Sequence, residues 1–153
     1  MSEIEEIEQL IEFHNAYLME PKLIALEPWR ITKEISDDDR NSEENRKYAK
    51  LFAAMATVIP KNGYILYADG NPDTPKGDHA HFFYDFYNID LGKPTSSMTK
   101  IDDGIAYKMF EHGLIIYNRT NRPAKVKFEK GEIEIGALEG LICEELTLGW
   151  NCT

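Results

Sequence analysis

Two acidic side chains follow short apolar segments of the chain. Glu27 comes directly after the apolar run 23–26, and Asp69 comes directly after the run 64–68. Catalytic groups of α/β barrels lie at the carboxyl ends of strands, and neighbouring strands are about 4.8 Å apart. Two carboxylates about 5–9.5 Å apart hydrolyse a glycosidic bond, one as general acid and the other as nucleophile or base. If both runs are adjacent parallel strands, we expect Glu27 and Asp69 to form such a catalytic pair. Alternatively, both are simply the first polar residues after buried strands, and residues 69–72 are an ordinary turn.

Aromatic side chains accompany the same strand ends. Their faces stack on the C–H face of sugars, and tyrosine adds a hydrogen-bonding group. We therefore predict four substrate-binding residues: Trp29, Tyr67, Tyr84 and Tyr87. The alternative for the aromatic cluster 82–87 is that it packs one end of the barrel against the following domain. We expect this packing role for Phe82, Phe83 and Phe86.

Histidines support a different hypothesis. His79 and His81 are two positions apart, so on a strand both side chains face one side, as ligands of a shared metal must. With Asp85 and His112 they resemble the metal-binding set of cupin barrels. However, too few strands precede His79 for a cupin fold, and His112 falls in a predicted hairpin turn. The two cysteines of the chain have no zinc-ligand spacing, so we expect neither metal nor cofactor.

The first half of the chain predicts two helices and two buried strands. Residues 2–19 form an amphipathic helix, capped by Ser2, whose apolar face carries Ile4, Ile7, Leu10, Ile11, His14 and Leu18. A second helix runs from about residue 42 to 58, between the apolar runs 23–26 and 64–68. Both runs are apolar on consecutive positions, which is typical of strands covered on both faces. Strand, helix and strand in this order predict a βαβ unit with parallel strands.

The second half predicts antiparallel β structure. From residue 104 onward, short apolar or alternating segments are separated by turns, which predicts the strands 104–110, 114–118, 124–128, 132–135 and 145–148. A hairpin turn is expected at 111–113, with Gly113 supplying a positive φ, and another at 130–131.

The length of the chain decides the fold class. Two strands that are apolar on both faces need more parallel neighbours and more helices than this chain supplies. A complete α/β barrel takes about 250 residues, whereas this chain has 153. We therefore expect an α/β chain in which residues 1–95 are the βαβ remnant of a TIM-like barrel, and residues 96–153 form a small antiparallel β domain.

Charge and hydropathy exclude several classes of function. The chain has 17 Lys and Arg residues against 27 Asp and Glu, a formal net charge of −10. Because it has no basic cluster, we expect no nucleic-acid partner and no membrane partner. No apolar run reaches the about 18 residues of a membrane span, and the first residues lack the basic start and apolar stretch of a signal peptide. These features predict a soluble, cytoplasmic protein.

Three segments carry a resemblance to a known family. They are residues 63–67, residues 83–94 with the turn 77–79 before them, and the hairpin 110–118. The middle segment is the most specific, because Tyr84-Asp85, Tyr87 and Asp90-Leu91-Gly92-Lys93-Pro94 keep the order and spacing of the family pattern. Together the segments resemble the C-terminal part of a family of glycoside-hydrolase-like proteins, which have an α/β barrel followed by a small β domain. The resemblance covers residues 20–148 and only the last third of such a protein.

The resemblance implies a protein that acts on carbohydrate. It also implies that another chain or a missing N-terminal region completes the barrel, so we expect no complete catalytic activity from this chain alone. Two other classes of function stay open. One is a non-enzymatic β-rich binding or interaction module, and the other is the cupin-like metal-binding protein.

Overall fold

The computed structural model describes residues 2–26, 42–65 and 83–153, apart from the side chains of residues 64 and 65. Within these ranges the chain forms α-helices, β-strands and one short 3₁₀ helix. In chain order the elements are α1 Glu3–Tyr17, β1 Ile24–Leu26, α2 Glu43–Val58, β2 Gly63–Ile65, the 3₁₀ helix Asp85–Asn88, β3 Thr99–Asp102, β4 Ile105–Phe110, β5 Gly113–Asn118, β6 Ala124–Phe128, β7 Gly131–Ile135, β8 Glu139–Glu145 and β9 Trp150–Cys152.

Both predicted helices are confirmed, and each begins at the expected serine. In α1, Ser2 Oγ accepts a hydrogen bond from Glu5 N and the Glu5 carboxylate accepts one from Ser2 N, each at 3.2 Å. This reciprocal capping box satisfies backbone donors that the first helical turn leaves unpaired. In α2, Ser42 Oγ accepts from Asn45 N at 3.3 Å.

The buried face of α1 differs from the predicted one. Glu8 and Ile11 are buried, with Ile4 and Ile7 partly buried beside them. Three residues that the sequence places on this face are exposed instead: Leu10, His14 and Leu18. Glu8 lies inward because it is four residues after Ile4 and three before Ile11, which puts all three on one side of the helix.

The predicted parallel strand pair is confirmed. β1 pairs with β2 in the same direction, with Ile24 opposite Gly63 and Leu26 opposite Ile65. The expectation that the strands are buried on both faces is wrong for β1, since Ile24 is buried but Ala25 is exposed. Leu23, immediately before the strand, is 60% exposed. Among the described residues, α1 and α2 pack against β1 but leave the side with Leu23 and Ala25 uncovered.

The predicted antiparallel structure of the second half is confirmed, and it forms a five-stranded sheet and a separate hairpin. The sheet has the strand order β3-β4-β5-β8-β9, and among the described strands β6 pairs with β7 alone. The strands β3 and β9 and nearly all of β8 were not predicted. All six residues of the central strand β5 are buried. Because successive side chains of a strand point to opposite faces, Ile115 and Tyr117 pack toward α2, whereas Leu114 and Ile116 pack toward the β6–β7 hairpin. The fold is therefore layered as helix, sheet and hairpin.

Two turns differ from their predictions. The strand expected at 145–148 is wrong, because β8 ends at Glu145 and residues 146–149 form a turn closed by a 3.1 Å hydrogen bond from Leu146 N to Gly149 O. The hairpin at 111–113 is confirmed, but Gly113 does not have the predicted positive φ. Glycine is required there for another reason, since a Cβ would overlap the carbonyl oxygen of Cys143 on the neighbouring strand.

The larger hydrophobic core draws residues from both sides of the predicted domain boundary at 95/96. Phe86 and Leu91 belong to the same cluster as Ile115 and Ile142. The division into two domains stays a prediction. In the described ranges, neither helix is long and apolar enough to cross a membrane.

The two cysteines form a disulfide that the sequence analysis did not predict. Cys143 and Cys152 are register partners on β8 and β9 and are bonded to each other. Nine positions separate them in the chain, and the antiparallel turn at 146–149 brings them opposite one another. The predicted cytoplasmic location stays a prediction.

Candidate functional site

The carboxyl ends of β1 and β2 lie at one edge of the parallel pair. Leu26 and Ile65 are register partners, so the chain leaves both strands on the same side. Glu27 is the next residue after Leu26, and Asp69 follows Ile65 by four positions. Both predicted catalytic residues lie outside the described residues, as do two of the predicted substrate-binding residues, Trp29 and Tyr67. Their roles stay predictions.

The other two predicted substrate-binding residues are described, and they differ in exposure. Tyr84 has no exposed surface, and its ring stacks on Phe86 with 5.3 Å between centroids. Tyr87 is only partly buried and meets the ring of Tyr84 edge-on at 5.9 Å. Tyr87 therefore keeps some solvent-accessible surface, whereas Tyr84 lies in the core.

Phenylalanines of the same cluster have opposite environments. Phe86 is 3% exposed and belongs to the main core, which confirms its predicted packing role. The same prediction is wrong for Phe83, which is 68% exposed. Its ring meets Tyr87 edge-on at 5.5 Å, so an exposed Phe83 ring lies against the partly buried Tyr87. Sequence reasoning missed Phe83 because no local pattern separates it from its buried neighbours. Phe82 lies outside the described residues.

Charged side chains of α2 surround the 3₁₀ helix. Arg46 Nη2 lies 2.7 Å from Asp85 Oδ1, and this hydrogen bond lowers the pKa of the Asp85 carboxyl. Lys50 Nζ lies 5.7 Å from the ring centroid of Phe86, within the range of a cation–π contact. Burial, with the nearby Arg46 charge as a smaller cause, lowers the pKa of Lys50. Arg46, Lys50 and Glu139 line a cleft of about 380 Å³.

The described members of the cupin-like set are not held as metal ligands. Asp85 is paired with Arg46, and His112 is exposed in the β4–β5 turn. Within residues 2–26, 42–65 and 83–153, no group of three histidine, cysteine or acidic side chains is arranged to hold a metal ion. His79 and His81 lie outside those ranges.

A buried ionic cluster joins α1 to the sheet. Tyr117 Oη donates a 2.6 Å hydrogen bond to Glu8 Oε1, and Arg119 Nε donates to Glu8 Oε2. Arg119 also donates to Asp103 at 2.6 Å. Burial, followed by the hydrogen bond and charge of Glu8, raises the pKa of Tyr117 far above its usual value. The Glu8 oxygens are occupied by protein donors, so this cluster holds the fold together rather than offering a free catalytic carboxylate.

Lys108 is a buried cation that sequence reasoning also missed. It is 3% exposed, and its Nζ donates hydrogen bonds of 2.7 Å to Thr57 O and 2.6 Å to Pro60 O. These carbonyls lie at the carboxyl end of α2, where the helix leaves acceptors unpaired. The available signal was its place in β4, on the same side of the strand as Ala106 and Phe110, where a charged residue is unusual.

Comparison with known proteins adds no identification. No protein-family model matches the chain, and no curated protein matches it. The resemblance of residues 63–118 to glycoside-hydrolase-like proteins stays a prediction.

Proposed function

We propose that the chain is the C-terminal portion of a glycoside-hydrolase-like α/β barrel protein that acts on carbohydrate. In this proposal Glu27 and Asp69 are the general acid and the nucleophile or base. Further barrel strands come from another chain or from a missing N-terminal region. The chain alone is catalytically incomplete.

The observation that carries the proposal is the parallel pairing of β1 with β2. Their register makes Leu26 and Ile65 neighbours at the carboxyl edge, where barrel enzymes carry their catalytic residues. Two strands alone are marginally stable, and further strands or packed helices are needed to stabilise them. The exposed apolar side chains of Leu23 and Ala25 support further layers or strands beside β1.

The aromatic pair of Phe83 and Tyr87 supports carbohydrate as the ligand. Phe83 presents its ring to solvent and contacts the partly buried Tyr87 at 5.5 Å. Apolar ring faces stack on the C–H faces of sugars, and the Tyr87 hydroxyl adds a polar group at the edge of the pair. Phe83 thereby joins Tyr87 as a proposed substrate contact, and Tyr84 supports Tyr87 from the core.

The test is a glycan-binding and glycosidase screen on the natural gene product that contains this chain. Glu27→Gln and Asp69→Asn keep the size of each side chain and remove its charge. We expect each substitution to lower hydrolysis by several orders of magnitude while glycan binding is retained. Glu129→Gln, an exposed carboxylate after β6, is the matched control. Unchanged hydrolysis in both site variants removes the catalytic assignment.

A specific observation favours one second candidate, a non-enzymatic interaction module. The outer face of α1 exposes Leu10, Phe13 and Tyr17 at 53%, 57% and 74%, and the last two rings are in contact at 4.6 Å. Exposed apolar patches of this kind mark interaction surfaces. Three results would favour this module: the chain melts cooperatively, it binds a protein partner, and the natural gene product that contains it has no glycosidase activity.

A further inference from the structure

A cleft of about 690 Å³ lies at the amino-terminal edge of the parallel pair β1–β2. Its walls come from the residues that precede β1 and β2, including Lys22 and Lys61, and from the segment 94–98. Lys108 of β4 also lines it. Because the cleft is at the amino ends of the strands, its function is independent of the proposed carbohydrate chemistry.

Lys108 is the reason to expect an anion in this cleft. Its Nζ bonds two carbonyl oxygens, of Thr57 and Pro60, whereas an ammonium has three donors. None of the described carboxylates forms an ion pair with it. Buried charges in proteins are normally paired, so a buried ammonium that borders a cleft without a counterion indicates a binding position for a negatively charged group.

The other charged residues that line the cleft also favour a negatively charged ligand. Lys22 and Lys61 add two cations at the rim, and Glu20 is the one carboxylate among its described lining residues. Glu20 is itself paired with Lys61 at 2.8 Å. The cleft is therefore locally cationic, with three lysines against one glutamate, in a chain whose net charge is −10.

Hydroxyl groups supply the neutral part of the recognition surface. Thr95 and Ser97 are exposed on the segment that closes the cleft. Their hydroxyls make no hydrogen bond to any other residue that the structure describes, so both are free to contact a ligand that carries hydroxyl or oxyanion oxygens.

We propose that this cleft binds a small organic or inorganic oxyanion, a carboxylate or a phosphate, with its charged oxygens against Lys108 Nζ and with Lys22 and Lys61 at its rim. Lys108 also stabilises the carboxyl end of α2 through its two carbonyl partners. The experiment must separate these two roles of the same side chain.

The experiment titrates the whole chain with inorganic phosphate, with glucuronate and with uncharged glucose at constant ionic strength. Isothermal calorimetry and amide chemical shifts follow the binding. We expect saturable binding of phosphate or glucuronate, with shifts at residues 94–98 and 108, and none of glucose. The stronger of the two anions identifies the ligand class as phosphate or carboxylate. No saturable binding of either anion overturns the proposal.

Substitution of Ser97 tests the position without disturbing Lys108. Ser97→Glu places a carboxylate in the cleft and is expected to weaken anion binding by about tenfold or more, the equivalent of one hydrogen bond to a charged group. Thr147→Glu adds the same charge to the exposed β8–β9 turn and is the matched control. Equal weakening in both variants shows a non-specific charge effect and overturns the proposed site.

Proton uptake tests the contact with Lys108 directly. Burial lowers the pKa of Lys108 to about 8, and an anion beside it raises that pKa, so binding near pH 8 takes up protons. Among the described residues, the other titratable groups lining the cleft are Lys22 and Glu20 before β1 and Lys61 before β2. Calorimetry in two buffers of different ionisation enthalpy measures the uptake. Lys108→Met is expected to abolish both proton uptake and anion binding. Lys127→Met, on the exposed side of β6, is the control and should keep both. Proton uptake that persists in Lys108→Met contradicts the contact between the anion and Lys108.

Discussion

Tyr117 Oη donates a 2.6 Å hydrogen bond to Glu8 Oε1 across 109 positions of sequence. The bond joins α1 to β5, the central strand of the sheet, and both side chains are almost completely buried. It therefore links the first element of the chain to the core of its antiparallel half.

Removing the Tyr117 hydroxyl is expected to destabilise the fold. Tyr117→Phe leaves one oxygen of a buried carboxylate without its donor, which costs about 1–3 kcal/mol in the free energy of unfolding. Tyr107→Phe is the control, because the Tyr107 ring packs on Phe128 and its hydroxyl has no hydrogen bond within the described chain. Urea unfolding of the two variants measures the difference, and equal midpoints would contradict the role of the Glu8 contact.

Lys108 predicts a pH dependence of stability. Its pKa is about 8 in the folded chain because of burial, whereas an unfolded lysine titrates at about 10.4. Between these values the unfolded chain binds more protons than the folded chain, so this group makes the free energy of unfolding rise with pH. Below about pH 8 the lysine is protonated in both states, and its contribution stays constant.

The slope contributed by Lys108 is measurable by variant comparison. Urea unfolding between about pH 8 and 10 should give a flatter pH profile for Lys108→Met than for the natural chain. Lys127→Met, on an exposed lysine of β6, should keep the natural slope. Profiles of equal slope for all three proteins would show that Lys108 does not titrate as its burial predicts.

The cross-strand disulfide predicts a dependence of stability on reductant. Cys143 and Cys152 close a loop of nine positions, and reduction is expected to lower the free energy of unfolding by less than about 3 kcal/mol, the value for a 15-residue loop. The double variant Cys143→Ala/Cys152→Ala should unfold identically with and without reductant. Unfolding of the natural chain that does not respond to reductant would contradict the bond, as would two reactive thiols in the untreated protein.

Substitution by alanine is expected to affect stability very differently at Phe83 and at Phe86. Phe86→Ala removes a buried ring and is expected to cost about 3–5 kcal/mol of stability. Phe83→Ala removes an exposed ring, so its stability should change by about 0.5 kcal/mol or less. If the proposed carbohydrate function holds, Phe83→Ala also weakens glycan binding.

Unfolding curves and glycan titrations of the two variants separate packing from binding. A large loss of stability in Phe83→Ala would contradict its solvent-exposed position. Full glycan affinity in a stable Phe83→Ala protein would remove it from the proposed site.

The elements of this chain were predictable where their signals are local. The serine caps of α1 and α2 lie within three residues of the groups they bind. The order of strand, helix and strand predicts the parallel pair that Ile24 and Gly63 form. Likewise, the turn at 111–113 and the apolar segments on either side of it predict the β4–β5 hairpin.

Tertiary structure alone decided which side chains are buried and which are exposed to solvent. Glu8 is a charged residue on the buried side of α1, and its partners Tyr117 and Arg119 lie 109 and 111 positions away, in β5 and directly after it. Phe83 and Phe86 belong to one aromatic run, yet only packing against the main core distinguishes them. Lys108 reaches the end of α2 from 48 positions away. Such contacts form only when segments that are distant in the sequence pack together. The free energy of burying or pairing a side chain therefore depends on its tertiary neighbours and not on the residues next to it in the chain.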